Sequence, residues 1–166
     1  IQSNPDIKFF FADTIHFDND GNELKRHFEN HNLDKIDPSK GNIIKYILEF
    51  PNLIDTESVV FDKKAAISVG LFDTSFKYLV DYDFFLRMGS SFSMSFSKKI
   101  VSKWRVHSNQ TTKIVGESLR IKEGNRIIFR YLKMGKTPFK IKLKLIFKFF
   151  YRYFAMYLRP IFSSFK

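Results

Sequence analysis

Residues 78–89 of the chain read YLVDYDFFLRMG, and no other stretch says more about the fold. Its apolar residues follow the spacing of a helix over residues 81–88, and Gly89 comes next as a predicted helix end. Asp81 lies in the first turn of that helix. The next segment, residues 98–107 (KKIVSKWRVH), has the pattern of a strand. A helix that leads into a strand in this way indicates a mixed α/β protein.

Short strands and helices alternate on the N-terminal side of this stretch. Residues 7–12 are a compact apolar run typical of a buried strand, and residues 18–22 contain the Asp, Asn and Gly of a turn. Residues 24–41 are polar, which predicts a loop, and Ser39 is the predicted cap of the next helix. The remaining predictions are a helix from residue 43 ended by Pro51, a strand over residues 58–61, and a helix over residues 63–69 between Asp62 and Gly70.

The C-terminal side completes the alternation. Serine alternates with phenylalanine or methionine in residues 91–96, and residues 100–106 alternate less cleanly, which predicts two strands paired with each other. Residues 114–134 predict a helix ended by Gly135, and residues 138–158 predict a second helix. Because the chain contains 21 phenylalanines, we expect an aromatic-rich core.

The positive charge is confined to one end of the chain. Residues 1–123 hold 17 basic and 17 acidic residues, so the whole formal net charge of +11 comes from residues 124–166, which contain no acidic residue. This asymmetry favours an anionic surface, either membrane phospholipid or nucleic acid, as the partner of the tail. The absence of cysteine excludes disulfides and thiolate zinc sites.

The predicted helix over residues 138–158 combines basic and aromatic residues. Its basic side chains recur every four positions and form one stripe: Lys140, Lys144, Lys148 and Arg152. The surrounding surface is apolar and aromatic, as in helices that lie in the plane of an anionic membrane. The basic interruptions leave no apolar run long enough to span a bilayer. Packing against another part of the protein is an alternative, and aromatic-basic interleaving also suits single-stranded nucleic acid.

Four stretches form an ordered set along the chain. They are residues 9–14 (FFFADT) with the turn at Asp20-Gly21, residues 58–63 (SVVFDK) with residues 70–73 (GLFD), residues 80–87 (VDYDFFLR) and residues 104–107 (WRVH). In order and spacing they resemble the C-terminal half of a family 2 glycosyltransferase with the GT-A fold, of the kind that builds bacterial surface polysaccharides. The resemblance covers about residues 7–112.

The resemblance implies a domain organisation. Residues 1–112 would be the acceptor-side part of a GT-A-like mixed sheet with flanking helices, and residues 113–166 a basic helical region. In the family, a nucleotide-binding half with a metal-binding Asp-x-Asp precedes the strand at residue 7, so we expect this chain to be a fragment or a truncated copy. Asp18-Asn19-Asp20 matches that motif by letters only, because it lies in a turn after the strand. The family's usual glutamate before the base is Val80 here.

Asp81 matches the position of the family's catalytic base. An inverting transferase needs a base that takes the proton of the acceptor hydroxyl, and cations that hold the leaving diphosphate. In the first turn of a helix, the macrodipole would favour the ionised form of Asp81. The alternative role of Asp81 is a helix N-cap. Asp83 and Arg87, spaced i,i+4, predict a helix ion pair that would at most hold Asp81 in place.

The resemblance also suggests contacts for four further residues. His107 matches the family's late histidine, which contacts the donor's diphosphate or metal ion, and Arg105 would leave the same strand face as His107. A structural hydrogen bond and an exposed strand-edge charge are their respective alternatives. Asp13 and Thr14 are predicted to follow a buried strand, where they would lie near the acceptor or cap a loop.

The expected function is therefore a metal-dependent, inverting glycosyltransferase. It would move a sugar from a nucleotide-sugar donor to a glycan or lipid-linked acceptor at the cytoplasmic face of the cell membrane. The complete enzyme would use Mg²⁺ or Mn²⁺, with its main ligands outside this chain. The alternatives are a non-catalytic membrane-binding or nucleic-acid-binding protein that uses the basic tail, and an inactive remnant.

Overall fold

The computed structural model describes residues 4–31, 33, 43–108, 110, 116–133 and 139–157. The chain divides into two compact units, Ile1–Ser75 with Val80–Gln110 and Phe76–Leu79 with Thr111–Lys166. The elements in chain order are β1 (Ile7–Phe17), β2 (Glu23–Arg26), α1 (His27–Asn30), α2 (Ile43–Glu49), a 3-10 turn (Thr56–Ser58), β3 (Val60–Phe61), α3 (Lys63–Ser68), α4 (Val80–Ser91), β4 (Ser93–Arg105), α5 (Glu117–Lys133) and α6 (Phe139–Tyr157). The predicted mixed α/β class is confirmed.

The first unit is organised around β1. β4 runs parallel to β1 along its whole length, from Ile7 beside Ser93 to Phe17 beside Arg105. β2 and β3 are antiparallel to β1 and pair with its two ends. Because β4 occupies one edge of β1 throughout, β2 and β3 must share the other edge. The result is a mixed four-stranded sheet with β1 at its centre.

The prediction of two paired strands over residues 91–106 is wrong, because this segment is the single strand β4. Ala12 pairs with Ser97, but the next residue, Asp13, pairs with Ile100, so Lys98 and Lys99 form a bulge. A bulge leaves extra residues unpaired and disrupts the ladder locally. Residues 98–101 are all exposed, so the alternation is interrupted in the middle of β4 and its two halves resemble two strands in sequence.

An aromatic core fills the space against the sheet, as the phenylalanine content predicts. Phe9 and Phe11 of β1 are fully buried. The ring of Phe11 lies 5.4 Å from that of Phe96 in β4, and the ring of Phe9 lies 5.2 Å from that of Phe85 in α4. Phe28 of α1 closes the cluster against Phe11 at 5.9 Å. These contacts fix β4, α1 and α4 relative to β1, and so position the side chains described below.

Local signals predict some helix ends and miss others. The Asp62 carboxylate accepts a hydrogen bond from the Ala65 amide at 2.7 Å, which confirms the predicted cap of α3. Gly70 follows α3 with a φ of +87°, as a terminating glycine should. Gly89 does not end α4, which continues to Ser91. A Cβ at Gly89 would collide with the Met94 side chain, so close packing explains this glycine.

The loop predicted over residues 24–41 is replaced in part by regular secondary structure. Residues 23–26 form β2 and residues 27–30 form α1, because a buried carboxylate from β1 accepts hydrogen bonds there. The predicted helix cap Ser39 lies outside the described residues. The strand predicted over residues 58–61 is shorter than expected, since Ser58 belongs to the 3-10 turn and only Val60–Phe61 pairs with β1.

The second unit contains α5 and α6, close to the bounds predicted from the sequence. The carboxylate of Glu123, on α5, is buried. That carboxylate accepts hydrogen bonds from three successive backbone amides, those of Lys77 at 2.7 Å, Tyr78 at 3.0 Å and Leu79 at 2.8 Å. One carboxylate on α5 therefore accepts three hydrogen bonds that help to hold the segment Phe76–Leu79 in place.

Glu123 makes the second unit sensitive to acid. Burial raises its pKa, but hydrogen bonds from the Lys77, Leu79 and Tyr78 amides outweigh this and leave the pKa below the ordinary 4.5. A lowered pKa stabilises the folded form above pH 4.5, and this contribution disappears as the pH falls through the folded-state value. We expect Glu123→Gln to cost about 1–3 kcal/mol at pH 7 and much less at pH 3, measured by helical circular dichroism in urea.

Glu117→Gln is the matched control, because Glu117 lies exposed at the start of the same helix. Its free energy of unfolding should follow the wild-type pH profile. If the difference between wild type and Glu123→Gln stays constant from pH 7 to pH 3, the carboxylate of Glu123 does not carry the acid sensitivity.

Candidate functional site

Asp81, the residue that matches the catalytic base, lies on the second position of α4 and is partly exposed. Its Oδ2 accepts a hydrogen bond from the Thr56 hydroxyl at 3.2 Å, and its Oδ1 accepts one from the Tyr82 amide at 2.7 Å. Asp81 thus lies inside the helix and not at its cap. Its carboxylate is oriented by two donors and retains contact with solvent.

The predicted ion pair of Asp83 and Arg87 forms, and it is buried. Asp83 is 0% exposed, and its Oδ2 accepts a hydrogen bond from Arg87 Nε at 2.8 Å. Arg87 also donates to the carbonyl oxygens of Val69 and Leu71, which follow α3. The pair therefore ties α4 to the turn after α3. Asp81, two residues before Asp83, is positioned by this anchored helix.

A cluster of histidines adjoins the loop that contacts Asp81. Asp55 directly precedes Thr56, and its Oδ2 lies 2.7 Å from His16 Nε2 and 3.3 Å from His27 Nδ1. Both imidazoles are 4% exposed. No motif in the sequence points to this cluster, because its members come from β1, α1 and the loop before the 3-10 turn. Only the register of the sheet and the packing of α1 against it bring them together.

Aromatic rings continue the cluster on both sides. The ring of Trp104 in β4 lies 4.7 Å from that of His16, and the ring of His31 lies 4.8 Å from that of His27. Burial lowers the pKa of His27, and Asp55 only partly offsets this. Burial also lowers the pKa of His31, and the neighbouring His27 adds to the effect. These two imidazoles are therefore neutral at pH 7.

The prediction that Asp13 and Thr14 follow the strand is wrong. Both residues lie inside β1 and are fully buried. Asp13 Oδ2 accepts hydrogen bonds from Arg26 Nε at 2.9 Å and from the second guanidinium nitrogen at 2.6 Å. Asp13 Oδ1 accepts one from the Phe28 amide at 3.0 Å, which caps the first turn of α1. The Thr14 hydroxyl lies 2.7 Å from that of Ser102. Their hydrogen bonds join strands of the sheet to one another and to α1.

Arg105 and His107 lie at the end of β4. Arg105 is the last strand residue and is exposed, and its backbone pairs with Phe17, one position beyond the pair of His16 and Trp104. His107 lies two residues past the strand and is partly exposed. The strand alternation expected to place both side chains on one face therefore stops at Arg105. The two residues lie at the same end of the parallel strand pair as the histidine cluster.

The predicted cationic stripe of α6 is divided between two environments. Lys140 and Lys144 are exposed, whereas Lys148 and Arg152 are partly buried. The Arg152 guanidinium lies against Gly124 of α5, where an added Cβ would collide with it. The exposed surface of α6 is mainly apolar, and its large side chains are Phe139, Leu143, Ile146, Phe147, Phe150, Tyr151 and Phe154. We call these seven side chains the apolar face of α6.

The chain matches no protein-family model and no curated protein. In the part of the chain that the structure describes, none of the helices combines the length and the apolar character that crossing a bilayer requires.

Proposed function

We propose that this chain is the acceptor-side part of a GT-A-like, inverting glycosyltransferase in which Asp81 is the catalytic base. The observation that carries the proposal is the geometry of Asp81. Its carboxylate is partly exposed, is oriented by the Thr56 hydroxyl and the Tyr82 amide, and lies in the first turn of α4. The buried pair of Asp83 and Arg87 anchors the same helix. A base must be held in place and still reach its substrate, and Asp81 meets both conditions.

The reaction would proceed as one displacement. The acceptor hydroxyl oxygen bonds to the anomeric carbon of the donor while the bond from that carbon to the diphosphate oxygen breaks. The hydroxyl proton moves to Asp81, and the nucleoside diphosphate leaves with the electron pair. The charged side chains at the end of β4, Arg105 and His107, are proposed to contact that diphosphate.

The complete enzyme would also hold Mg²⁺ or Mn²⁺, which neutralises charge on the leaving diphosphate. The residues at hand do not supply a full ligand set for it. His107 offers only one imidazole. The carboxylate of Asp18 stabilises the turn after β1, where it accepts hydrogen bonds from the Asp20 and Asn22 amides at 2.9 Å each. The Asn22 side-chain amide donates to the same carboxylate at 3.0 Å. No chemical step is therefore assigned to the ion through these residues.

A transfer assay on the native full-length polypeptide tests the proposal. Nucleotide sugars with uridine, guanosine and thymidine diphosphates would be supplied with a lipid extract of the source cells as acceptor. We expect one donor to release its nucleoside diphosphate only when the extract is present. If no donor supports acceptor-dependent release with Mg²⁺ or Mn²⁺, the proposal of a transferase is wrong.

A second candidate function is attachment to an anionic membrane surface, and the apolar face of α6 favours it. Seven large apolar side chains are exposed on one helix, and Lys140 and Lys144 lie exposed beside them. A helix with this combination inserts its apolar side at the headgroup boundary and places its cations against anionic lipid. This attachment is compatible with a transferase that acts on a lipid-linked acceptor.

Replacing two residues of the apolar face tests the attachment. We expect the double variant Phe147→Ser, Phe150→Ser to bind vesicles with phosphatidylserine about 10- to 100-fold more weakly than wild type, because two exposed aromatic rings no longer enter the lipid. Co-flotation with vesicles measures the affinity. Ile67→Ser is the control, since Ile67 is a 54% exposed apolar residue of α3 in the first unit and does not belong to this face.

Two further experiments distinguish a membrane from a nucleic acid as the partner of the tail: charge reversal on α6 and a comparison of vesicle binding with oligonucleotide binding. Lys140→Glu with Lys144→Glu should weaken binding to anionic vesicles and leave the weak binding to neutral vesicles unchanged. Equal flotation of the Phe147, Phe150 variant and wild type would contradict membrane attachment. Tighter binding to a single-stranded oligonucleotide than to anionic vesicles would favour the nucleic-acid alternative.

A further inference from the structure

Two of the chain's four histidines, His16 and His27, lie at the Asp55 carboxylate, and a third, His31, lies beside His27. His16, His27 and Asp55 each offer one potential ligand atom, and these atoms lie within 4.8 Å of one another. His31 adjoins His27 and is partly exposed, so the cluster is not sealed from solvent. Nothing in the proposed transferase reaction uses these side chains.

The spacing of the cluster is close to that of a metal centre. The two imidazole nitrogens lie 2.7 Å and 3.3 Å from the same Asp55 oxygen. In a tetrahedral zinc site with bonds of about 2.0–2.1 Å, neighbouring ligand atoms lie about 3.3–3.4 Å apart. Side-chain movements of about 1 Å would therefore bring all three atoms to bonding distance of one ion.

One nitrogen of the buried His27 ring lacks a hydrogen-bond partner among the described residues. This atom is Nε2, and the side chain that carries it is almost fully buried. Buried polar atoms of this kind need an explanation. If an ion took Nδ1, the ring proton would be fixed on Nε2. In metal-bound imidazoles this free N–H usually donates to a carboxylate, a backbone carbonyl or water.

We infer that His16, His27 and Asp55 form a binding site for one divalent transition-metal ion of the zinc and cobalt class. Two imidazoles and one carboxylate favour these ions over Mg²⁺ or Ca²⁺, which prefer oxygen ligands. The ion would clamp three segments that are distant in sequence, namely β1, α1 and the loop before the 3-10 turn. The inference does not depend on the proposed transferase reaction, whose ion would take its main ligands from outside this chain.

Co²⁺ titration of the full chain tests the site. The chain has a single tryptophan, Trp104, whose ring lies 4.7 Å from that of His16. We expect one Co²⁺ per chain to quench Trp104 fluorescence and to give the visible absorption of a low-coordinate cobalt centre, and we expect Zn²⁺ to displace it. His16→Gln, His27→Gln and Asp55→Asn should each weaken Co²⁺ binding about 10- to 100-fold or more.

His107→Gln is the matched control, because His107 is the one histidine outside the cluster. It should bind Co²⁺ with wild-type affinity. If only His107→Gln weakens binding, the ion belongs to the end of β4 and the inference is wrong, whether or not the protein is a transferase. Absence of saturable Trp104 quenching in wild type would also overturn it.

Folding of the variants is monitored by far-ultraviolet circular dichroism. If His27→Gln does not fold, Asp55→Asn decides, because Asn has the size of Asp and the Asp55 side chain is 14% exposed. Unchanged Co²⁺ affinity in a folded Asp55→Asn variant and in a folded His16→Gln variant would exclude this site.

Discussion

Asp81→Asn lowers the rate of sugar transfer about 10²- to 10⁴-fold and leaves donor affinity unchanged, if Asp81 is the base. The amide has the size of the carboxylate, its oxygen can still accept the hydrogen bond from the Tyr82 amide, and its NH₂ group can donate to the Thr56 hydroxyl oxygen. It cannot take a proton at neutral pH. The loss should therefore appear in kcat and not in the donor KM. A steady-state transfer assay with the native full-length protein measures both.

Asp20→Asn is the matched control for the lost charge. Asp20 is exposed in the turn after β1, where asparagine is equally suited. This variant should transfer sugar at the wild-type rate. A transfer rate of Asp81→Asn within about threefold of wild type would remove Asp81 as the base, because general-base catalysis contributes at least about 10²-fold.

Asp13→Ala lowers the free energy of unfolding of the first unit by about 3–5 kcal/mol. The substitution removes the two Arg26 hydrogen bonds and the acceptor for the Phe28 amide from a site that is 0% exposed. A buried amide without an acceptor is costly, and the guanidinium loses a fully buried partner. Urea unfolding followed by Trp104 fluorescence measures the change, because Trp104 lies in β4 of the same unit.

Glu29→Ala provides the comparison, since Glu29 is the exposed partner of the same arginine, with 3.3 Å between Arg26 and the Glu29 carboxylate. Exposed pairs contribute little, so we expect a change of at most about 0.5 kcal/mol. A loss of less than about 1 kcal/mol in Asp13→Ala would mean that the carboxylate of Asp13 does not hold β2 and α1 to the sheet.

Features set by neighbouring residues were predictable from the sequence. The cap of α3 at Asp62, its end at Gly70, and the positions of α5 and α6 depend on contacts within a few residues. The i,i+4 pair of Asp83 and Arg87 also follows from helix geometry. The burial of that pair does not follow, because it depends on the turn after α3.

The sequence misled wherever a distant contact decides the local structure. Gly89 resembles a helix end, yet Met94 packs against it and α4 continues. The bulge at Lys98 and Lys99 makes one strand resemble two. Asp13 looked like the first residue of a loop because charged residues are rare inside strands, and hydrogen bonds from Arg26, the Thr14 amide and the Phe28 amide make its burial favourable.

The sequence by itself determined the mixed α/β class, the aromatic core, the separation of charge between the body and the tail, and the helical position of Asp81. These depend on composition and on periods of a few residues. The tertiary structure alone decided the sheet order, the division of the stripe on α6, and the meeting of His16, His27 and Asp55. Those three side chains come from segments far apart in sequence, and the pairing of β1 with its neighbours, which no short-range pattern encodes, brings them to one place.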